Sequence, residues 1–326
     1  MQPLISICVP IYNVAPYIAK CVHSLMQQTY EAIEYIFVND GSTDESVTIL
    51  QDTIKSYPER QANVRILQND RNHGLAYTRR VSIENAKGEY VLCVDSDDYI
   101  EKELVECMVN RALETKADIV SAGFFHESAT TQIELPYPCD NESDFTRIVL
   151  SDLLPYLCNK LIRRSLFTTG RNCYAPEGLN YLEDRITLLY LSTKVKHVAT
   201  INKPLYHYVY RTDSVSQSKN EIHVRCLIRY WEEAERVLKE LGLEQKYKDI
   251  VGTQKIADKA FILMYCDNKT RKQFVDVFAA EDRLYHPVLS RGTALMYWLV
   301  KHHLWTLTYC YEQYIHWLDG YKKRHS

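Results

Sequence analysis

Glu89-Tyr90-Val91-Leu92-Cys93-Val94-Asp95-Ser96-Asp97-Asp98 decides how the rest of this 326-residue chain is read. Tyr90 to Val94 is a short apolar run of good β-formers, which predicts a strand buried on both faces. It stops at three carboxylates, Asp95, Asp97 and Asp98. Like charges this close repel, and none can be buried without a partner. A divalent cation would resolve the conflict, because hard oxygen ligands suit Mn2+ or Mg2+. The alternative is a solvated turn whose acids cap a helix from Glu101 to Thr115. An isolated D-x-D favours the turn, so the neighbouring residues have to decide.

Working back from this stretch, strands and helices alternate. Ile5 to Val9 reads as a first strand, followed by Pro10-Ile11-Tyr12-Asn13. Ala15 to Gln28 has Ile18, Cys21, Val22, Leu25 and Met26 at helical spacing. Glu34 to Val38 is a second strand that runs into Asn39-Asp40-Gly41-Ser42-Thr43-Asp44. Ser42 and Glu45 have the spacing of a capping box for a helix carrying Val47, Leu50 and Ile54. Val64 to Leu67 is a third strand and Gly74 to Ala86 a further helix, closed by Lys87-Gly88. The alternation predicts a parallel sheet covered on both faces, with ligands bound beyond the carboxyl ends of its strands. Tyr12, Asp40 and Asp95 to Asp98 fall at such ends.

Composition narrows the possibilities. A formal net charge of -3 gives no electrostatic support for a nucleic-acid partner. Ten cysteines are scattered without a zinc-like spacing, as expected of free thiols in a reducing compartment. The N-terminal apolar residues lack a basic flank and read as a strand, not a leader. No apolar run approaches the roughly 18 residues of a membrane span. The expectation is a cytoplasmic protein, free or resting on the inner face of the cytoplasmic membrane. Oligomeric state leaves no signal.

Beyond Asp98 the pattern loosens. Asp118 to Phe125 and Thr131 to Leu135 read as strands, the second antiparallel, and Pro136 to Ser143 as a break. Ile186 to Leu191 reads as a helix, and Val195 to Thr200 and Tyr206 to Tyr210 as two strands. His207 is expected to be a satisfied buried histidine rather than a metal ligand. From Asn220 on, helices are predicted over Cys226–Leu241, Tyr247–Tyr265, Arg271–Ala280 and Thr293–Leu318. The last carries Met296, Tyr297, Trp298, Leu299, Leu304, Trp305, Tyr309, Tyr314 and Trp317 among Lys301, His302 and His303. Such a helix suits a lipid interface, or else packs as core.

Five pieces in order now carry a resemblance: Pro10 to Asn13; Val38 to Asp44; Asn72-His73-Gly74-Leu75-Ala76 with Arg79; Ala86 to Tyr90; and Asp95 to Asp98. Together they resemble the donor-binding half of family-2 glycosyltransferases, inverting enzymes of the GT-A fold. Asn159-Lys160-Leu161, Glu183-Asp184 and Tyr210 to Ser214 continue the match more loosely, over about two thirds of the chain. The resemblance implies an α/β fold, a Rossmann-like mostly parallel sheet flanked by helices, with a helical C-terminal extension. The domains would then be residues 1–218, split into a nucleotide-sugar half (1–100) and an acceptor half (101–218), and a helical region, 219–326. One departure is Arg80, where relatives usually carry Asn. It is either an added cation near the diphosphate or a surface substitution.

The resemblance also implies roles. Pro10 and Tyr12 would pack on the nucleobase, and Asp40 would accept from its N–H. Gly74 would allow close backbone approach, and Arg79 would pair with the diphosphate. Asp95 would lie near ribose and metal, and Asp97 would ligate Mn2+ or Mg2+. Asp184 would be the general base, with Glu183 structural or acceptor-binding and Arg211 closing over the diphosphate. Bland readings stand beside each: Tyr12 as a rim aromatic, Asp40 as a turn former, Gly74 as a helix start, Arg79 as a solvated helix arginine, Asp44 and Asp98 as helix caps, Glu183-Asp184 as a dipole-favoured helix start, and Arg211 as part of a polar loop, the simpler reading there. The implied activity is hexosyl or N-acetylhexosaminyl transfer from a UDP-sugar to a glycan or lipid-linked acceptor, as in bacterial surface-polysaccharide synthesis. A nucleotidyltransferase of related fold, or a non-catalytic sugar-binding protein, is the competing function. A nicotinamide enzyme would need a glycine-rich turn after the first strand, and Pro10 to Asn13 has no glycine.

Overall fold

The computed structural model describes residues 2–127, 131–135, 144–151, 156–170, 172–210, 220–284, 289–311 and 313–314. Strands β1 (Ile5–Ile11), β2 (Ile33–Asn39), β3 (Val64–Gln68) and β4 (Tyr90–Cys93) pair in parallel, in the order β3-β2-β1-β4. Every residue of β1, β2 and β4 is buried, which is why their sequences are mostly apolar, with Ser6, Glu34 and Asn39 the polar exceptions. Pro10 is tolerated because the ladder has ended beside it. Cys8 turns its carbonyl to Val94, so Pro10, two residues on, directs its missing donor past the last paired residue of β4.

Helices α1 (Ile18–Met26), α2 (Ser46–Ile54), α3 (Pro58–Gln61) and α4 (Leu75–Glu84) cross between these strands. α1 buries Ile18, Cys21, Val22, Leu25 and Met26, the face its spacing predicts. The capping box expected of Ser42 and Glu45 does not form, because α2 begins only at Ser46. Asp44 does the capping, accepting from the Ser46 amide at 3.0 Å, while its other oxygen accepts from Ala15 N at 3.0 Å. Ser42 Oγ instead accepts from the Asn13 amide at 3.2 Å.

After β4 come β5 (Tyr99–Ile100), α5 (Leu104–Thr115), β6 (Ile119–Glu127), β7 (Gln132–Leu135) and α6 (Phe145–Leu150). Then follow β8 (Lys160–Arg163), α7 (Ser165–Thr168), α8 (Glu183–Ser192) and β9 (Val198–Val209). The nine strands described form one sheet, β3-β2-β1-β4-β8-β6-β9-β5, with β7 beside β6. β8 runs antiparallel to both β4 and β6, and β7 is antiparallel to β6, so this half of the sheet is mixed. The two strands expected between Val195 and Tyr210 are one. Asn202 and Lys203 bulge out between the pairs Ala122–Ile201 and Gly123–Pro204, which lets the strand continue past a proline that reads as a breaker. The break expected at Pro136 to Ser143 lies outside the described residues.

At the amino ends of the strands, Glu34 is nearly buried and accepts from Ser6 Oγ (2.6 Å), Lys87 N (2.6 Å) and Gly88 N (3.1 Å), with Arg65 at 2.9 Å. A Cβ on Gly88 would stand 2.7 Å from Leu4 O and Ser6 N, so only glycine fits there. The Ala86 to Tyr90 stretch thus stitches α4 to the sheet.

The chain divides into two compact units, Met1–Ser214 and Val215–Ser326. The second is helical: α9 (Glu221–Glu240), α10 (Glu244–Tyr265), α11 (Asn268–Phe274), a 3-10 turn (Ala279–Leu284) and α12 (Arg291–Lys301). Its buried Lys259 pairs with Asp282 at 2.8 Å, and Tyr297 also donates to Asp282. The single last helix expected from Thr293 is interrupted at His303, which has φ 57°. There Leu304 N donates back to Leu299 O at 3.0 Å, closing α12 before helix resumes at 305. α12 buries Ala294, Met296, Tyr297, Leu299 and Val300, and leaves Leu295 and Trp298 exposed. Among the described residues no helix is long and apolar enough to cross a membrane.

Candidate active site

Three elements bring charge to one place beyond the carboxyl ends of the strands. α4 carries Arg79, the end of β4 carries Asp95, and the first turn of α8 carries Glu183 and Asp184. The buried guanidinium joins them. Arg79 Nη2 donates to Asp95 Oδ1 at 2.6 Å, and Nη1 donates to Glu183 Oε1 at 2.9 Å and to Asp184 Oδ1. Burial by itself would ease deprotonation of Arg79, but the three carboxylates outweigh it and hold the proton more firmly. One guanidinium cannot balance three carboxylates, one buried and two only partly exposed. Burial and the neighbouring Asp184 push the Glu183 carboxyl up to about 8. Burial raises Asp184 too, against the pull of Arg79. The two acids therefore titrate together, as a pair.

Asp184 is further fixed by the Leu157 amide, which donates to its Oδ2 at 3.0 Å. Nearby, the buried Lys160 ammonium donates to Tyr156 O at 2.6 Å and Asn159 Oδ1 at 2.9 Å. Burial pushes this amine down to about 8, opposed by Cys158 and Asp184. The acidic pair is preceded by Leu182 at φ 68°, a left-handed conformation costly for a branched side chain.

On the donor side, Asp95 and Asp98 hang from one tyrosine. The Asp95 amide donates to Tyr206 Oη at 3.2 Å, and Tyr206 Oη donates to Asp98 Oδ2 at 2.7 Å. Val209 N donates to Asp98 Oδ1 at 2.8 Å. Asp98 is not a helix cap, since α5 starts only at Leu104 and the carboxyl is buried beneath β9. Burial first, then Asp97 and Asp95, pushes it well above the ordinary carboxylate range. Ligand atoms of Asp95, Asp98 and Cys158 lie within 4.8 Å of one another. The oxygens of Asp98 already accept from Tyr206 and Val209, and the buried Cys158 thiol is pushed up by burial and stays protonated. The hard donors suited to a divalent cation are Asp95 and the half-buried Asp97, and this donor chemistry fits Mn2+ or Mg2+.

At the nucleotide end, Pro10 is buried and Tyr12 is 47% exposed at the tip of β1. Asp40, buried after β2, accepts from Asn69 Nδ2 (2.7 Å), His73 N (3.0 Å) and Gly74 N (2.8 Å). It therefore shapes the loop that opens α4. Gly74, at φ 89° and ψ 168°, occupies a region reserved for glycine, and a Cβ there would meet Asn180 Oδ1 at 2.3 Å. Arg79, expected at the diphosphate, is spent on the carboxylates. Arg80 lies on the surface, with Nε 2.8 Å from Glu84. Arg211 lies outside the described residues. His207 is satisfied, with Nδ1 2.8 Å from Glu127 and Nε2 2.9 Å from Glu101, between the rings of Tyr99 and Phe125. Tyr206, Asn180 and the Leu157 amide escape sequence reasoning. Cys158 and Lys160 lie in or beside the Asn159 to Leu161 stretch, whose match is the signal that pointed to them.

The family model for Glycosyl transferase family 2 matches residues 6–169. The uncharacterized glycosyltransferase EpsJ of Bacillus subtilis is 31% identical over 226 residues, covering 67% of this chain and 64% of EpsJ. The crystal structure of Staphylococcus aureus TarS residues 1–349 with UDP shares the fold, at TM-score 0.64 and 20% identity, over 95% of this chain and 91% of that one. A mannosyltransferase from Pyrobaculum calidifontis, PcManGT, with GDP-Man and Mn2+, aligns at TM-score 0.55 and 15% identity over 96% of this chain and 83% of that one. With four of the five sequence pieces at the carboxyl ends of the strands and a family match over half the chain, this protein belongs to glycosyl transferase family 2.

Proposed function

We propose that the protein is an inverting glycosyltransferase that moves one sugar from a UDP-sugar to a hydroxyl of a glycan or lipid-linked acceptor. The observation that carries this reading is the convergence of Asp95 and Asp184 on the single Arg79 guanidinium, a donor-side acid and an acceptor-side acid in one frame. The acceptor oxygen attacks the anomeric carbon opposite the diphosphate. The new C–O bond forms as the bond to the diphosphate breaks, and UDP leaves with the electron pair. Asp184 takes the hydroxyl proton. Arg79 opposes the rise that burial imposes on Asp184, which favours the ionised form a base needs. Asp95 and Asp97 would hold Mn2+ or Mg2+, which supplies positive charge against the diphosphate leaving group. Pro10 and Tyr12 line the nucleobase end, while Asp40 fixes the loop that runs to Gly74.

UDP as the donor nucleotide is supported by the TarS complex, and the use of Mn2+ by the PcManGT complex. The exposed Leu295 and Trp298 on α12, with Leu307, Tyr309 and Tyr314 beyond it, support peripheral contact with a membrane carrying a lipid-linked acceptor. The test is a screen of nucleotide sugars with and without Mn2+, read by mass spectrometry of released UDP. Release from one UDP-sugar, dependent on metal and increased by acceptor glycan, is expected. Formation of a nucleotide sugar from a sugar phosphate and UTP would instead identify a nucleotidyltransferase.

A further inference from the structure

We infer that Arg79 is a positioning residue for the base, not a ligand of the diphosphate; this rests on the reading of Asp184 as that base. The guanidinium is 4% exposed, and both terminal nitrogens are engaged by carboxylates from two other elements. Both prongs are committed to carboxylates, and the remaining unpartnered donor, Nε, is itself buried, so the group presents no exposed edge to a phosphate. Its partners make its role specific. Asp184 has two oxygens: one is held by Arg79 and the other by the Leu157 amide. The carboxylate is thereby clamped from a side chain on α4 and from the backbone before β8. Removing either clamp frees a short side chain to rotate, although α8 itself would stay in place.

Sharing gives the clamp a second property. Nη1 serves both Glu183 and Asp184, while Nη2 serves Asp95. A change of charge at Asp95 therefore alters how strongly the same cation grips the base. Arg79 links the state of the donor side to the orientation of Asp184 through one rigid, planar group. Lysine keeps the charge but offers a point donor on a flexible stem, and cannot reproduce the fork.

The experiment is a double-mutant cycle of Arg79→Lys and Asp184→Asn, with two readouts: UDP affinity by calorimetry in Mn2+, and the rate of UDP release from the nucleotide sugar the donor screen selects. Arg79→Lys is expected to lower kcat by about 10- to 100-fold, as loss of a supporting contact does. UDP affinity should stay within about threefold of wild type, since the lysine keeps a positive charge beside Asp95 and no contact to UDP itself is removed. In the Asp184→Asn background the lysine should cost nothing further, because a residue that acts through the base has nothing left to act on. A tenfold loss of UDP affinity in Arg79→Lys would overturn the inference and return Arg79 to the diphosphate. Additive losses would overturn it as well, while leaving Asp184 as base. If Asp184→Asn alone works at near wild-type rate, the underlying reading of the base fails instead. Should Arg79→Lys not fold, Glu183→Gln completes the cycle. It leaves the guanidinium intact and removes the acid that divides Nη1, so a kcat change that vanishes beside Asp184→Asn supports the inference, and one that persists overturns it.

Discussion

The two ends of the sheet treat buried acids in opposite ways. At the amino ends, Glu34 meets the Ser6 hydroxyl, the amides of Lys87 and Gly88, and Arg65. Burial alone would raise its carboxyl, but these donors outweigh it and hold it below the ordinary value. At the carboxyl ends, Asp95, Glu183 and Asp184 share one guanidinium, and Asp98 sits beside them. Burial leads there too, and Glu183, Asp184 and Asp98 are all raised. The first arrangement is complete as it stands, and the second carries more negative charge than the protein neutralises. An excess kept in a folded protein, against its cost, marks where a ligand or cation supplies the remainder.

The sharpest way to break the comparison is Asp184→Asn. Sugar transfer should fall by about 10²- to 10⁴-fold, the usual worth of a general base, while thermal stability holds or rises as surplus charge is lost. A drop in melting temperature with transfer intact would make this end architectural like the other. Next in size is Asp97→Ala, which should weaken UDP binding in Mn2+ by about tenfold or more, as should chelation of the wild type. Calorimetry giving equal UDP affinity with and without chelator would mean the excess charge has no cation to wait for.

At the opposite end, Glu34→Gln should cost about 2 kcal/mol of stability at neutral pH, the worth of hydrogen bonds to a buried charge, and leave kcat unchanged. Because the folded carboxyl of Glu34 is lowered from 4.5, its contribution is complete above that value and lost as the pH falls through the folded one. Wild type and variant should therefore converge in melting temperature as the pH falls from 4.5 through the lowered folded value. A gap that persists into acid would assign the loss to packing. The smallest effect belongs to Arg80→Ala. The Arg80–Glu84 pair is nearly half exposed, so stability should move by less than about 0.5 kcal/mol and UDP affinity not at all. Weaker UDP binding would restore Arg80 to the diphosphate.

Local pattern made the first four strands readable, since β1, β2 and β4 are buried throughout and end in abrupt changes of polarity. The same logic failed where tertiary contacts overrule it. Asn202, Lys203 and Pro204 have the composition of a turn, but a bulge against β6 absorbs them. His302-His303 carries no glycine or proline to mark the end of α12. At the site, the acids were visible because they cluster, whereas their partners were not. Arg79 reads as a solvated helix arginine until Glu183 and Asp184, 104 and 105 residues away, are brought to it. Asp98 reads as a cap until Tyr206 arrives from 108 residues away. The Ala86 to Tyr90 match identified the family correctly although Lys87 and Gly88 serve the sheet, not the site.

Those same separations bear on the order of folding. The hydrogen bonds within α4 can form from neighbours, but the contacts of Arg79 with Glu183 and Asp184 require closure of loops more than a hundred residues long. Until α8 docks, Arg79 has only Asp95 nearby in sequence, and the two acids remain in water where they are stable. Nothing favours dehydrating four charges before they can meet. The ion cluster is therefore a late seal on a sheet already assembled, and its opening would be an early step of unfolding. A chain interrupted before residue 183 has every strand from β1 to β8 yet none of the acceptor-side acids.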